Sequence, residues 1–198
     1  MEKKRELSKN FWIIWIAIIL FLIIAVAVGF ALFANRKNEV IIQEENGGNV
    51  VLNYSSNFPG IKIINAVPTT DAVGMKNSDE GEYFDFSVES SLDNARSVEY
   101  EISLVKDKKF STIPDEDIHI YLEKENSGTY AALFEPTVFT PLKKDNKYGT
   151  KAGDMVLTKE KKSKSSVDLY RLRIWLRDQS TVVNGNYSVE VVVSGISK

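Results

Sequence analysis

Hydrophobic and polar positions divide this chain into two textures. Phe11 to Ala34 is a run of 24 residues without a charge, an amide or a hydroxyl. From Val50 onward, apolar and polar residues alternate in short bursts instead. Sixteen positions of the run are Ile, Leu, Phe or Val, each favouring the bilayer by about 0.3 to 0.6 kcal/mol on insertion. As an α-helix the run would rise about 36 Å at ~1.5 Å per residue. A hydrocarbon core of roughly 30 Å can be crossed by that length with some tilt. The pattern predicts one N-terminal transmembrane helix over 11–34, with membrane lipid as its partner.

The second texture predicts strands. Phe84, Phe86 and Val88 alternate with Asp85, Ser87 and Glu89, and Val98, Tyr100, Ile102 and Leu104 with Glu99, Glu101 and Ser103. Ile118, Ile120 and Leu122 repeat the pattern against His119, Tyr121 and Glu123. This period of two is that of a half-buried strand. Further strands are expected at Glu39–Gln43, Val50–Tyr54, Gly60–Ala66, Tyr130–Phe134, Leu169–Leu176 and Tyr187–Val193. Asn46-Gly47-Gly48-Asn49, Asn126-Ser127-Gly128 and Asn184-Gly185 supply turns. No stretch after residue 35 places apolar residues at helical spacing. Eight to ten short strands with such turns predict an all-β fold, a β-sandwich of immunoglobulin-like or jelly-roll connectivity. Facing sheets would bury the Phe84, Val98, Ile118, Leu172 and Val189 faces together.

Charge then orients the chain. Lys3, Lys4, Arg5 and Lys9 precede the apolar run, and only Arg36 and Lys37 follow it closely. Positive charge is retained in the cytoplasm, so the amino end stays inside and the rest is exported. Trp12 and Trp15 stand near the inner end, where indoles favour the headgroup zone. The expected organisation is a cytoplasmic tail at 1–10, the helix at 11–34, a juxtamembrane linker with a first strand at 35–49, and an extracytoplasmic sandwich at 50–198. A cleaved leader is the rival reading, since Ala27-Val28-Gly29 and Gly29-Phe30-Ala31 offer small residues to a signal peptidase. The run exceeds the ~7–15 residues of a signal core, which favours a retained anchor. No Glu interrupts its start, as a pilin-type assembly segment would need.

Composition restricts the chemistry. The chain has no cysteine, so disulfides, thiolate metal sites and Cys nucleophiles are all ruled out. After the anchor, 21 Lys and Arg stand against 25 Asp and Glu, a mild acidity that argues against nucleic acid as a partner. The lone histidine, His119, is expected on an outward strand face and cannot build a zinc site without a second imidazole or a thiolate. There is no Gly-x-Ser-x-Gly elbow and no phosphate-cradling glycine loop. Asp115-Glu116-Asp117 and Asp79-Glu80 beside Gly81 offer carboxylates to calcium without the spacing of an EF-hand. The expectation is no cofactor, no metal site and no catalytic set.

Two stretches stand out as contact surfaces. Lys143, Lys144, Lys147, Lys151, Lys159, Lys161, Lys162 and Lys164 put eight lysines into 22 residues. That run reads as solvated loops around a short strand at Asp154–Thr158. Its functional alternative is contact with an anionic wall polymer or lipid headgroups, with Lys143, Lys144, Lys147, Lys159, Lys161 and Lys162 as the candidates. In Tyr170–Arg177, strand alternation sets Arg171, Arg173, Trp175 and Arg177 on one face. Guanidiniums flanking an indole form a cation–π ladder. The face either pairs with acidic neighbours, Glu99 and Glu101 being candidates, or receives a partner.

The run Tyr-Arg-Leu-Arg-Ile-Trp-Leu at 170–176, with Asn186–Val191, Ile63–Pro68, Phe84–Val88 and Tyr100–Leu104, resembles a group of uncharacterised surface proteins of Firmicutes-type bacteria. Their layout is one N-terminal apolar segment and an all-β exported domain. More distantly the chain is similar to the camelysin and TasA-like biofilm-matrix proteins, whose fold is a jelly roll. The resemblance implies fold and location and no catalytic residue. The expected role is a membrane-anchored, non-enzymatic structural, adhesive or complex-forming module with protein partners or copies of itself at the cell surface. The alternative is an exported matrix subunit that loses its leader and assembles by strand exchange. An ectodomain hydrolase is the least favoured class.

Overall fold

The computed structural model describes residues 15–16, 18–21, 37–40, 48–76, 83–140 and 155–198. The chain divides into two units, Met1–Arg36 and Lys37–Lys198. In the first, Trp15, Ile16 and residues 18–21 are helical and exposed. Among the described residues no helix is long and apolar enough to cross a membrane. Most of the expected span over 11–34, Trp12 included, lies outside the described residues.

The second unit is all-β. Its strands are β1 (Lys37–Val40), β2 (Asn49–Tyr54), β3 (Gly60–Ala66), β4 (Tyr83–Ser91), β5 (Val98–Lys106), β6 (Ile118–Asn126), β7 (Thr129–Ala132), β8 (Thr137–Val138), β9 (Met155–Lys162), β10 (Ser166–Leu176) and β11 (Gly185–Ser197). One short helix, α1 (Asp71–Gly74), and a 3-10 turn at Asp115–Asp117 complete the described elements. Each predicted strand is present within a few residues, because the period-two pattern commits one face to the core and register follows. The first strand begins two residues earlier than expected. The one-turn α1, in what reads as a loop around Pro68, is too short to show helical periodicity.

The larger sheet runs β1-β2-β4-β10-β6-β7, with β8 also on β6; the smaller runs β3-β11-β5-β9. All strand pairs are antiparallel. From β2 to β6, and again from β9 to β11, every connection crosses between sheets. The order β3-β11-β5-β9 facing β4-β10-β6-β7 is a jelly roll of two Greek keys, and β1 and β2 extend the larger sheet beyond β4. Of the two connectivities left open by the sequence, this is the second. At the β6–β7 hairpin Ser127 and Gly128 both take positive φ, 54° and 86°, as a tight two-residue turn requires.

Between the sheets lies one core. Leu52, Phe84, Phe86, Val88, Ile120, Leu122, Leu172 and Ile174 of the larger sheet meet Ile61, Ile102, Leu104, Val189, Val191 and Val193 of the smaller. Each such side chain contributes about 1.5–3 kcal/mol of burial. Phe84, Phe86 and Tyr170 stack in sequence, with ring centroids 5.4 and 5.3 Å apart. Gly60 lies so close to β11 that a Cβ would fall 2.0 Å from the Val189 carbonyl oxygen, which fixes the crossover from β2 to β3 against the smaller sheet.

Candidate functional site

β10 is the central organiser of the polar chemistry, because it lies between β4 and β6 and presents one face to each environment. Its outward residues are in register with Asp85 and Tyr83 on β4 and with Glu123, Tyr121 and His119 on β6. Antiparallel partners share a face, so opposite charges meet directly. Arg171 donates from Nε and Nη2 to the two oxygens of Asp85 at 2.6 and 2.7 Å. Its guanidinium also stands over the rings of Tyr130 and Tyr83, at 4.5 and 5.1 Å. The hydrogen bonds to Asp85 raise its already high pKa. Arg173 pairs with Glu123, and Arg177 reaches Asp117 at 2.9 Å.

The expected acidic neighbours, Glu99 and Glu101, instead lie on β5 of the smaller sheet. There Glu99 pairs with Lys161 and Lys198, and Glu101 with Lys159. Sequence adjacency could not reveal that β4 and β6 flank β10, since the jelly roll interleaves distant strands.

Trp175 differs most from the expected open ladder. It is 2% exposed. The Thr69–Met75 segment covers it, with α1 set so close that a Cβ on Gly74 would lie 2.2 Å from the indole. Its Nε1 donates to Asp71 Oδ1 at 3.1 Å, and the same oxygen meets His119 Nδ1 at 2.6 Å. The His119 and Tyr121 rings abut the indole edge to face. His119 is thus a half-buried member of a polar clasp. It is not the free surface histidine that its strand position suggested.

The lysine run is also more ordered than a loop. Strand β9 continues through Lys162, four residues beyond the expected Thr158. Lys159 reaches Glu101 at 3.1 Å and Lys161 reaches Glu99 at 3.8 Å. Lys162 reaches Asp168 at 2.7 Å and Glu160 at 3.4 Å. Lys143, Lys144 and Lys147 lie outside the described residues. Of the calcium candidates, Asp115 is engaged by Lys106 and by the Tyr187 hydroxyl at 2.9 Å. Asp117 is engaged by Arg177, and Asp79 and Glu80 fall outside the described residues. Among the described residues, no three His, Asp or Glu side chains gather as a metal site.

One cluster escaped the sequence reading. On the inner face of β10, Asp168 accepts from Tyr100 at 2.6 Å, and the Tyr100 and Tyr170 hydroxyls are 2.8 Å apart. Lys124 bridges Glu160 at 2.9 Å and Asp168 at 3.2 Å. Burial alone would raise the Asp168 carboxyl, but the hydrogen bonds from Lys162 and Tyr100 and the nearby ammoniums outweigh it. Its pKa is held below the usual carboxylate range. Burial, then the neighbouring Tyr170 and Asp168, push the Tyr100 phenol far up. The signal was available: Tyr100 and Tyr170 alternate in phase with core residues, and a buried phenol needs a polar partner.

A cleft of about 550 Å³ lies beside the β2–β3 crossover, lined by Ser55–Phe58, Gly60, Lys62 and Tyr83–Asp85. In the sequence Phe84 and Asp85 stand out only as strand alternation, and Ser55–Pro59 does not stand out at all. The cleft adjoins the outward face of β10 through Tyr83 and Asp85, which both contact Arg171.

No protein-family model matches the chain, and no curated protein matches it. A solved structure described as AvmM, which catalyses macrocyclization in alchivemycin A biosynthesis, aligns over 81% of this chain and 97% of its own. The identity is 8% and the TM-score 0.30. A likeness of that size carries no argument about fold or activity.

Proposed function

We propose that this protein is a single-pass membrane protein, amino end in the cytoplasm, holding its jelly-roll unit outside the membrane as a non-enzymatic structural, adhesive or complex-forming module. The observation that carries the reading is the uncharged 24-residue run at 11–34 directly ahead of a β unit with its own core, Lys37–Lys198. The excess of basic residues before the run supports the orientation. The body has the attributes of a durable scaffold. Many of its ion pairs join neighbouring strands, and the polar groups on the inner face of β10 are tied to one another.

A second reading draws on β1. Among the described residues this four-residue edge strand pairs with β2 alone, and it directly follows the amino-terminal unit. A strand so placed is suited to exchange with a neighbouring copy once the leader is removed.

Orientation is testable because the chain lacks cysteine. A thiol placed at exposed position 183 by Val183→Cys should react with a membrane-impermeant maleimide on intact cells. A thiol placed by Ser8→Cys should react only after permeabilisation. The reverse pattern would overturn the proposal.

A further inference from the structure

We propose that the cleft beside the β2–β3 crossover binds an acidic saccharide, a pyranose ring bearing a carboxylate or phosphate. The inference stands on the chemistry of the cleft and does not depend on where the body is located.

The cleft has the size and rigidity of a built site. Its volume of about 550 Å³ falls within the roughly 300–1,000 Å³ of small-ligand pockets. The Ser55–Gly60 segment that lines it is pinned: the Val191 amide donates to the Pro59 carbonyl at 2.7 Å, and the Gly60 amide to the Phe58 carbonyl at 2.9 Å. The Ser56 hydroxyl closes on the Phe58 carbonyl, and the Phe58 amide donates back to it at 3.3 Å. A recess held in this way loses little entropy when a ligand enters.

The lining selects the ligand class. Serine hydroxyls and an asparagine amide stand beside two half-buried aromatic side chains, Phe58 and Tyr83. Apolar ligands call for an apolar wall, and this wall is mixed. A sugar ring matches it, with C–H groups that pack against aromatic side chains and hydroxyls that both donate and accept.

The charge balance selects the acidic kind. Both Asp85 oxygens are taken by Arg171, so that pair contributes no net charge. Lys62 is exposed, with its ammonium 4.4 Å from the Phe58 ring centroid and 5.6 Å from that of Phe110. Among the described residues it has no ion pair. Aromatic faces hold a cation without neutralising it, so the cleft retains one positive charge for a ligand anion.

The test is calorimetric titration of the full chain in detergent micelles with trigalacturonate, a glycerol-phosphate oligomer and maltotriose. Trigalacturonate should bind, more weakly as salt is raised, and maltotriose should bind at least about tenfold more weakly. Lys62→Gln should weaken trigalacturonate about tenfold, the scale of one charge-assisted hydrogen bond. Lys62→Arg should restore most of the affinity. Because Lys62 is exposed, the thermal midpoint should not move, so lost binding would report the contact and not misfolding. Equal affinity for maltotriose, or indifference to Lys62→Gln, would overturn the charge assignment and the proposal with it. Binding of glycerol phosphate alone would overturn the sugar, and binding of none of the three would overturn the site. None of these failures alters the maleimide result, and a reversed maleimide pattern leaves the titration intact.

Discussion

The two faces of β10 carry similar numbers of polar groups and handle them in opposite ways. Inside, Asp168 and Tyr170 join Tyr100, Lys124, Glu160 and Lys162 in one continuous network between the sheets. Outside, Arg171, Arg173 and Arg177 each take one carboxylate from a flanking element. A polar group between the sheets has less water to fall back on, so protein supplies most of its partners. Arg171 and Arg177 keep water as an alternative, and their pairs are correspondingly weak, whereas Arg173 is 6% exposed and its pair with Glu123 is as buried as the inner network. Trp175 breaks the division: it points outward by alternation yet is as buried as the core, because α1 closes over it. The outward row is therefore part of the protein's own fabric. That leaves the cleft at Lys62 as the better place for recognition.

The largest effect expected from this comparison is at the exception. Trp175→Ala should cost about 3–5 kcal/mol in urea unfolding, the range of a buried aromatic. A loss under about 1 kcal/mol would mean that α1 does not cover the ring in solution.

Next is the inner network. Asp168→Asn should cost about 2–3 kcal/mol, somewhat less than breaking a fully buried pair because Lys124 and Lys162 keep some contact with water. The wild type should also carry a pH signature that this variant lacks. A carboxyl with a depressed folded pKa stabilises above its unfolded value, near 3.8, and that contribution is lost as pH falls through the lower folded value. Acid unfolding curves of the two proteins should therefore converge below about pH 4.

A third effect, smaller for each group, appears at alkaline pH. Tyr100, Tyr170 and Tyr187 all have raised pKa values, burial being the leading cause in each. Their contribution is full below the unfolded value of 10.0 and is lost as pH rises above it. Stability should fall by up to about 1.4 kcal/mol per pH unit for each phenol. Tyr100→Phe should flatten that slope by one phenol.

The smallest effect is on the outward face. Arg171→Ala should cost under about 1 kcal/mol despite its bidentate geometry, since both partners remain partly exposed. A loss as large as that of Asp168→Asn would erase the contrast between the faces.

Much of the fold was legible because alternation is a local property. Phe84–Val88, Val98–Leu104 and Ile118–Leu122 each declare a buried face within a few residues, and the structure places those faces in one core. What was not legible depends on strand order. The carboxylates for Arg171, Arg173 and Arg177 come from β4, β6 and the Asp115–Asp117 turn, remote in sequence and adjacent only through the jelly-roll crossing. The covering of Trp175 depends on one turn of helix, with Gly74 as the residue that fits beneath it. Lys159 and Lys161 read as part of a solvated run because Glu101 and Glu99, which receive them, lie more than fifty residues earlier. The cleft is assembled from the Ser55–Pro59 turn, β3 and the start of β4, none of which signals it alone.

The most direct test of the anchored-module account is the mass of the protein extracted from cell membranes with detergent. The account predicts a membrane-bound species whose mass includes residues 11–34, and none in the culture medium. A released species lacking those residues would contradict the retained anchor and favour assembly by strand exchange.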